Sequence, residues 1–102
     1  MHARVSTYDT DDADRLMEGF ESVTEQLEQI EGFSHAYFMV DRESGKAVSI
    51  TIWESEDALT ASSSKADELR KQGTQSTGTS IKSVDHYEIG QIVGTPSASG
   101  AQ

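Results

Sequence analysis

Few side chains in this sequence are suited to chemistry: three histidines, three tyrosines and one tryptophan, with no cysteine and no asparagine. His35 has the character of a general base, because an imidazole with an unperturbed pKa of about 6.5 exchanges its proton near neutrality. Two residues on, Tyr37 joins a ring to a hydroxyl, and Trp53 offers a flat surface on which an aromatic molecule can stack. Ser49 and Thr51 precede Trp53 at two-residue spacing, so on a strand their hydroxyls share its face and can hydrogen-bond a bound molecule. Phe33 extends the apolar part of the set. Each also has a plainer reading: aromatics at strand ends commonly fill interfaces, and a strand-end histidine can sit at a rim.

Other chemistries are excluded by residue type or spacing. Without cysteine there is no disulfide, thiolate metal site or cysteine nucleophile. His2, His35 and His86 lack metal-ligand spacing and an assignable carboxylate partner, so no metal is expected. The sequence has no phosphate-cradling glycine loop, nucleophile elbow or HExxH motif.

The elements that position these residues follow from periodicity. Residues 3–8 alternate as a short strand, with His2, Arg4, Ser6 and Tyr8 on the less apolar parity. Thr10 and Asp11 offer N-caps, and Leu16, Phe20, Val23, Leu27 and Ile30 form one helical stripe that Gly32 should end. Phe33–Asp41 and Lys46–Trp53 read as two strands of a hairpin. Ser55 caps a second helix with a weaker stripe (Leu59, Ser62, Ala66, Leu69), ending near Gly73. Segment 73–80 reads as a loop and Ile81–Ile92 as the last strand; the parity of His86 and Tyr87 is ambiguous. This order, β-α-β-β-α-β, predicts an α+β ferredoxin-like split fold: a four-stranded antiparallel sheet with two helices on one face. One domain over residues 1–92 and a flexible tail over 93–102 are expected.

The hairpin predicts which face each residue takes. With a three-residue loop, Glu43-Ser44-Gly45, Arg42 pairs with Lys46. Ala36, Phe38 and Val40 then oppose Ile52, Ile50 and Val48 on a uniformly apolar face toward the helices. His35, Tyr37 and Met39 oppose Trp53, Thr51 and Ser49 on a mixed face that points away. Such a face is a large apolar patch for a monomer, and a second copy of the chain is its simplest cover, giving a dimeric α/β barrel. The interface would bury roughly 800 Å² or more per partner. Polar groups left inside that barrel would line the pocket.

Charge narrows the partners. The formal net charge of −10, from 18 acidic and 8 basic residues, disfavours nucleic acid and anionic lipid, and no Lys/Arg cluster reverses it locally. The longest unbroken apolar run, Ala36 to Val40, is too short for a membrane span. The start of the sequence lacks the apolar core of a signal peptide, so a cytoplasmic location is expected.

The stretch Gly32-Phe33-(x)3-Tyr37-Phe38-Met39-Val40-Asp41-Arg42-(x)2-Gly45-Lys46, followed by Ser49-Ile50-Thr51-Ile52-Trp53-Glu54-Ser55-Glu56-Asp57-Ala58-Leu59, resembles the antibiotic biosynthesis monooxygenase family. The Trp-Glu-Ser that ends a strand and leads into an acidic helix start carries most of the resemblance, which extends over residues 2–90. It implies a homodimer with a pocket in the barrel or between each sheet and its helices. It also implies cofactor-free oxidation of a small aromatic or quinol substrate by O₂; in such a reaction the residues of this chain suit Trp53 and Tyr37 to hold the ring and His35 to deprotonate the phenol. No cofactor is expected. Haem-degrading members use a strand-one Asn, a Trp and a His on the following helix, and only Trp53 has a counterpart, so haem degradation is not expected. Polyketide-oxidising members use an Asn where this chain has Ser49, which leaves a second reading: a non-catalytic dimer, structural or small-molecule-binding.

Overall fold

The computed structural model describes residues 1–94; most of the expected tail, residues 95–102, lies outside the described residues. Seven elements follow one another: β1 (His2–Thr10), α1 (Ala13–Glu28), β2 (Phe33–Asp41), β3 (Lys46–Trp53), α2 (Glu56–Ala61), α3 (Ser63–Thr74) and β4 (Thr79–Glu88). The strands form one antiparallel sheet in the order β2-β3-β1-β4, the α+β ferredoxin-like arrangement, with the helices layered on one face. Asp12 caps α1 by accepting a hydrogen bond from the Arg15 amide at 3.1 Å. Leu16, Phe20, Val23 and Leu27 of the predicted stripe are buried against the sheet. The helix stops at Glu28, before Gly32; that glycine, at φ +84°, instead closes the turn in which Phe33 N–H bonds to the Ile30 carbonyl.

The second helix is broken. Ser62 separates α2 from α3, and the cause lies at the Leu59 carbonyl. That carbonyl accepts from the Arg4 guanidinium (Nη2, 2.9 Å) and from the Ser62 hydroxyl (2.7 Å). An arginine from the sheet and a local serine thus take the place of an ordinary helical partner, and the helix turns. α3 then runs beside α1 at a glycine–glycine contact: a Cβ on Gly19 would stand 1.9 Å from the Gly73 carbonyl oxygen.

The hairpin corrects the expected register. Asp41 pairs with Lys46 across a four-residue loop, Arg42 to Gly45, so the β2–β3 pairings from His35 to Asp41 shift by one residue. The Asp41 side chain accepts from the amides of Glu43 and Ser44, its carbonyl accepts from Gly45 N–H, and Gly45 takes φ +76°. These bonds stabilise the longer loop, and the Gly45 carbonyl accepts in turn from Thr10 N–H at 2.7 Å. A one-residue slip inverts every side chain of one strand relative to the other. Ala36 and Phe38 therefore share the helix-side face with Thr51 and Ser49, while Tyr37 and Met39 share the outer face with Ile50 and Val48. The expectation that Ser49, Thr51 and Trp53 face away from the helices is overturned. Trp53 is fully buried, in a core with Val23, Leu27, Leu59 and Leu69.

A bulge at Ser34 makes a second correction. Phe33 pairs with Trp53, but His35 pairs with Ile52, so Phe33 and His35 take opposite faces despite their two-residue spacing. Phe33 packs edge-on against Trp53 at 5.5 Å under the helices. The outer face that results is more apolar than predicted: Ala3, Val5, Val48, Ile50 and Ile52 run across its middle, with Tyr37, Met39 and Tyr87 exposed around them.

Candidate functional site

Between the sheet and the helices lies a cavity of about 40 Å³. Its polar lining residues begin on β1, where alternation turns Arg4, Ser6 and Tyr8 toward the helices; Ser49 and Thr51 of β3 and Arg70 of α3 join them. The rest of the lining is apolar: Phe20, Val23 and Leu27 of α1, Phe38 of β2, and Ala66 and Leu69 of α3. A void of this size holds roughly three water-sized molecules. Phe20 and Phe38 stack with centroids 4.6 Å apart and also line an open groove of about 340 Å³ on the surface beside α1, so the pair stands between groove and cavity.

Each buried hydroxyl of the lining has a specific partner. Tyr8 and Ser49 hydroxyls meet at 2.8 Å, and Trp53 Nε1–H donates to Thr51 Oγ1 at 2.9 Å. Arg70 donates through Nε to the Ser6 hydroxyl at 3.2 Å and through Nη1 to Asp67 at 3.0 Å. These pairings explain why serine and threonine can lie under the helices, where unpartnered hydroxyls would be costly.

Arg4 is the most unusual group. It is only 3% exposed, donates through Nη2 to Leu59 O, Ser62 Oγ and Ser63 Oγ, and lies with its guanidinium carbon 5.6 Å from the Trp53 ring centroid. It has no carboxylate partner among the described residues, and its Nη1 is buried without a hydrogen bond. Burial, reinforced by the Arg70 charge, lowers its pKa from 12.5 to about 10, which still leaves it charged at neutral pH. Arg4 Nε–H donates to His86 Nε2 at 3.3 Å, which requires a neutral imidazole. Desolvation and the two arginines accordingly hold His86 below the usual histidine range.

The structure divides the sequence-predicted site residues. Ser49 and Thr51 line the cavity, and Trp53 backs it through Thr51 and Arg4. Phe33 stands behind Trp53 in the core. His35 and Tyr37 lie on the other face of the sheet, where their rings meet edge-on at 5.5 Å and Ser34 Oγ bonds to His35 Nδ1 at 2.8 Å. The ambiguous β4 parity resolves with His86 on the helix side and Tyr87 outside. The β1 parity groups Arg4, Ser6 and Tyr8 with Ser49 and Thr51, but beneath the helices and not on the face that points away; Arg70, which no sequence expectation included, stands four residues after Ala66 on the stripe that meets the sheet. Among the described residues no group of histidines and carboxylates could hold a metal ion, and no helix is long and apolar enough to cross a membrane.

A ferredoxin-like sheet with a small cavity beneath its helices defines the class of this protein, and the comparisons narrow it. The sequence matches the profile of the antibiotic biosynthesis monooxygenase family over residues 1–71, and the chain belongs to that family. The structure is similar to SnoaB, a cofactor-independent oxygenase from Streptomyces nogalater, with a TM-score of 0.72, 14% identity, and 90% of this chain and 95% of that one covered. It is similar to a monooxygenase of Streptomyces coelicolor in complex with nanaomycin D, with a TM-score of 0.65, 20% identity and 92% of each chain covered. It is equally similar in fold to the haem degrader MhuD of Mycobacterium tuberculosis, with a TM-score of 0.73, 16% identity, and 92% and 100% coverage. Comparison of the sequence with curated proteins finds no match.

Proposed function

We propose that this protein is a cofactor-independent monooxygenase that acts, as a homodimer, on a small aromatic or quinol substrate. The observation that carries this reading is the cavity itself, lined by aromatic and aliphatic side chains together with two arginines and four hydroxyl-bearing side chains. Such a site suits a ring with ionisable oxygens. The cations favour the phenolate over the phenol, and the electron-rich anion is the species that gives electrons to O₂. For a hydroquinone the balance is simple. A ring C–H becomes C–O, one oxygen atom of O₂ enters the product as a hydroxyquinone, the other leaves as water, and the substrate supplies all four electrons.

The family profile supports the same reading, as does the likeness to SnoaB and the Streptomyces coelicolor enzyme. The outer face of the sheet, rich in Val, Ile, Tyr and Met, supports the dimer. Ser49 and Thr51 serve as the hydrogen-bonding contacts and Trp53 as the fixed backing. His35 does not reach this cavity, and we assign it no proton transfer there. Among the lining residues only Tyr8 carries a group that can ligate a haem iron, and its hydroxyl is engaged by Ser49, so the lining does not fit a haem.

One observation favours a second reading, a binding or structural role without turnover: at about 40 Å³ the cavity must widen before it admits a ring. The test is O₂ uptake with a panel of hydroquinones and anthrones, comparing wild type, Ser49→Leu and His35→Ala. Uptake with stoichiometric product, abolished by Ser49→Leu and untouched by His35→Ala, is the expected result. Uptake no faster than buffer for every compound would leave the non-catalytic reading.

A further inference from the structure

Beyond the cavity, between α2 and the paired ends of β1 and β4, lies an open groove of about 380 Å³. Arg4 lines the cavity, while two residues that accept its hydrogen bonds, Leu59 and His86, line the groove. Arg4 therefore stands between the two spaces, and those bonds hold it there.

The bonds differ in kind. The Leu59 carbonyl and the Ser62 and Ser63 hydroxyls accept from Nη2 at any pH, on the helix side. His86 accepts from Nε at 3.3 Å only while its imidazole is neutral, and it sits exposed on the edge strand β4, where the ring has room to turn. Protonation would set an N–H against the N–H that Arg4 already presents, and bring two cations into contact. Charged and titratable groups surround His86 from every side. Arg4 and His2 stand on β1, Arg70 on α3 and Glu56 on α2, with Asp85, Tyr87 and Glu88 beside it on β4. The arginines oppose its protonation; Glu56 and Glu88 share the groove with it and could receive an imidazolium.

We propose that His86 is a pH-operated latch on the cavity: once protonated, the imidazolium leaves Arg4 Nε for the carboxylates of the groove, Glu56 and Glu88, and the Arg4 edge of the cavity opens to water. Desolvation and the two arginines keep the latch shut through the neutral range, so it opens only below the usual histidine pKa of about 6.5. The bonds of Nη2 remain, so the break between α2 and α3 stays in place and the opening is local. The latch governs access to the cavity and is independent of the reaction proposed there.

Trp53 reports on it. This is the only tryptophan, it is fully buried, and its ring centroid lies 5.6 Å from the Arg4 guanidinium carbon. Quenching of its fluorescence by acrylamide, a neutral probe, is measured on the full chain from about pH 7.5 down to about pH 5, with circular dichroism at each point to follow the fold. The quenching constant should rise about twofold or more as the pH falls, with the midpoint of the His86 titration followed by NMR. His86→Gln keeps an acceptor for Arg4 that does not titrate and should stay protected throughout. His86→Ala should be open at neutral pH, and His2→Gln should behave as the wild type. A wild-type constant indifferent to pH, a rise that survives in His86→Gln, or a rise that merely follows loss of ellipticity would overturn the proposal. Should His86→Ala not fold, the wild type and His86→Gln decide the matter.

Discussion

The buried bond between Tyr8 and Ser49 gives a quantitative test of the sheet's register. The two hydroxyls meet at 2.8 Å, the residues are 2% and 6% exposed, and each hydroxyl has the other as its side-chain partner. Tyr8→Phe leaves the serine oxygen buried and alone; Ser49→Ala does the same to the phenol. Either loss should cost about 1–3 kcal/mol, the desolvation of an orphaned polar group. Removing both groups together leaves no orphan, so the double variant should cost much less than the two singles combined, with a coupling of about 1 kcal/mol or more. Urea unfolding followed by Trp53 fluorescence measures all four proteins. In thermal melts each kcal/mol should appear as about 4–8 °C for a domain of this size. Two small, additive effects would refute the reasoning, because they would mean that Ser49 does not face Tyr8.

Three further results are expected. Since His86 is held below its usual range, it stays neutral in the folded protein while the unfolded chain protonates at about 6.5; stability should fall as the pH drops through and below that value, and His86→Gln should flatten this dependence in pH-resolved denaturation. Gly19→Ala should destabilise despite alanine's helix preference of about 1 kcal/mol, because its Cβ would lie 1.9 Å from the Gly73 carbonyl oxygen; Gly73→Ala, whose nearest atom is at 3.3 Å, should cost less in the same melts. Sedimentation at micromolar concentration should give twice the 11.1 kDa chain mass, and Tyr37→Glu with Met39→Glu on the outer face should shift it toward the monomer; a monomeric wild type would contradict the dimer.

The element order and the α1 stripe were legible because local periodicity determines them: Leu16, Phe20, Val23 and Leu27 are buried as their spacing requires. What sequence could not reveal was decided by single residues whose partners are distant. One extra loop residue, stabilised by the Asp41 side chain, sent Ser49 and Thr51 under the helices. Polar side chains of β3 need not face away, because Tyr8, Trp53 and Arg70 satisfy the buried hydroxyls of Ser49, Thr51 and Ser6. The Ser34 bulge separated Phe33 from His35, and no local pattern marks it. Of the expected site residues, Ser49 and Thr51 therefore lie together with Trp53 behind them, while His35 and Tyr37 belong to the opposite surface. The break at Ser62 depends on Arg4, 58 positions earlier, and is invisible to helix periodicity.

The stacked pair of Phe20 and Phe38 bears on time rather than affinity. Both rings line the inner cavity and the outer groove, so passage between the two requires one of them to swing aside. A diatomic molecule needs only a brief, small opening; a ring-sized product needs a wide one. On the proposed oxygenase function, the pair would admit O₂ far more often than it releases a product, so that departure rather than chemistry would set the pace of each cycle. Phe38 lies on β2, the strand at the sheet's edge, so the rate of that motion is tied to how firmly the edge is held.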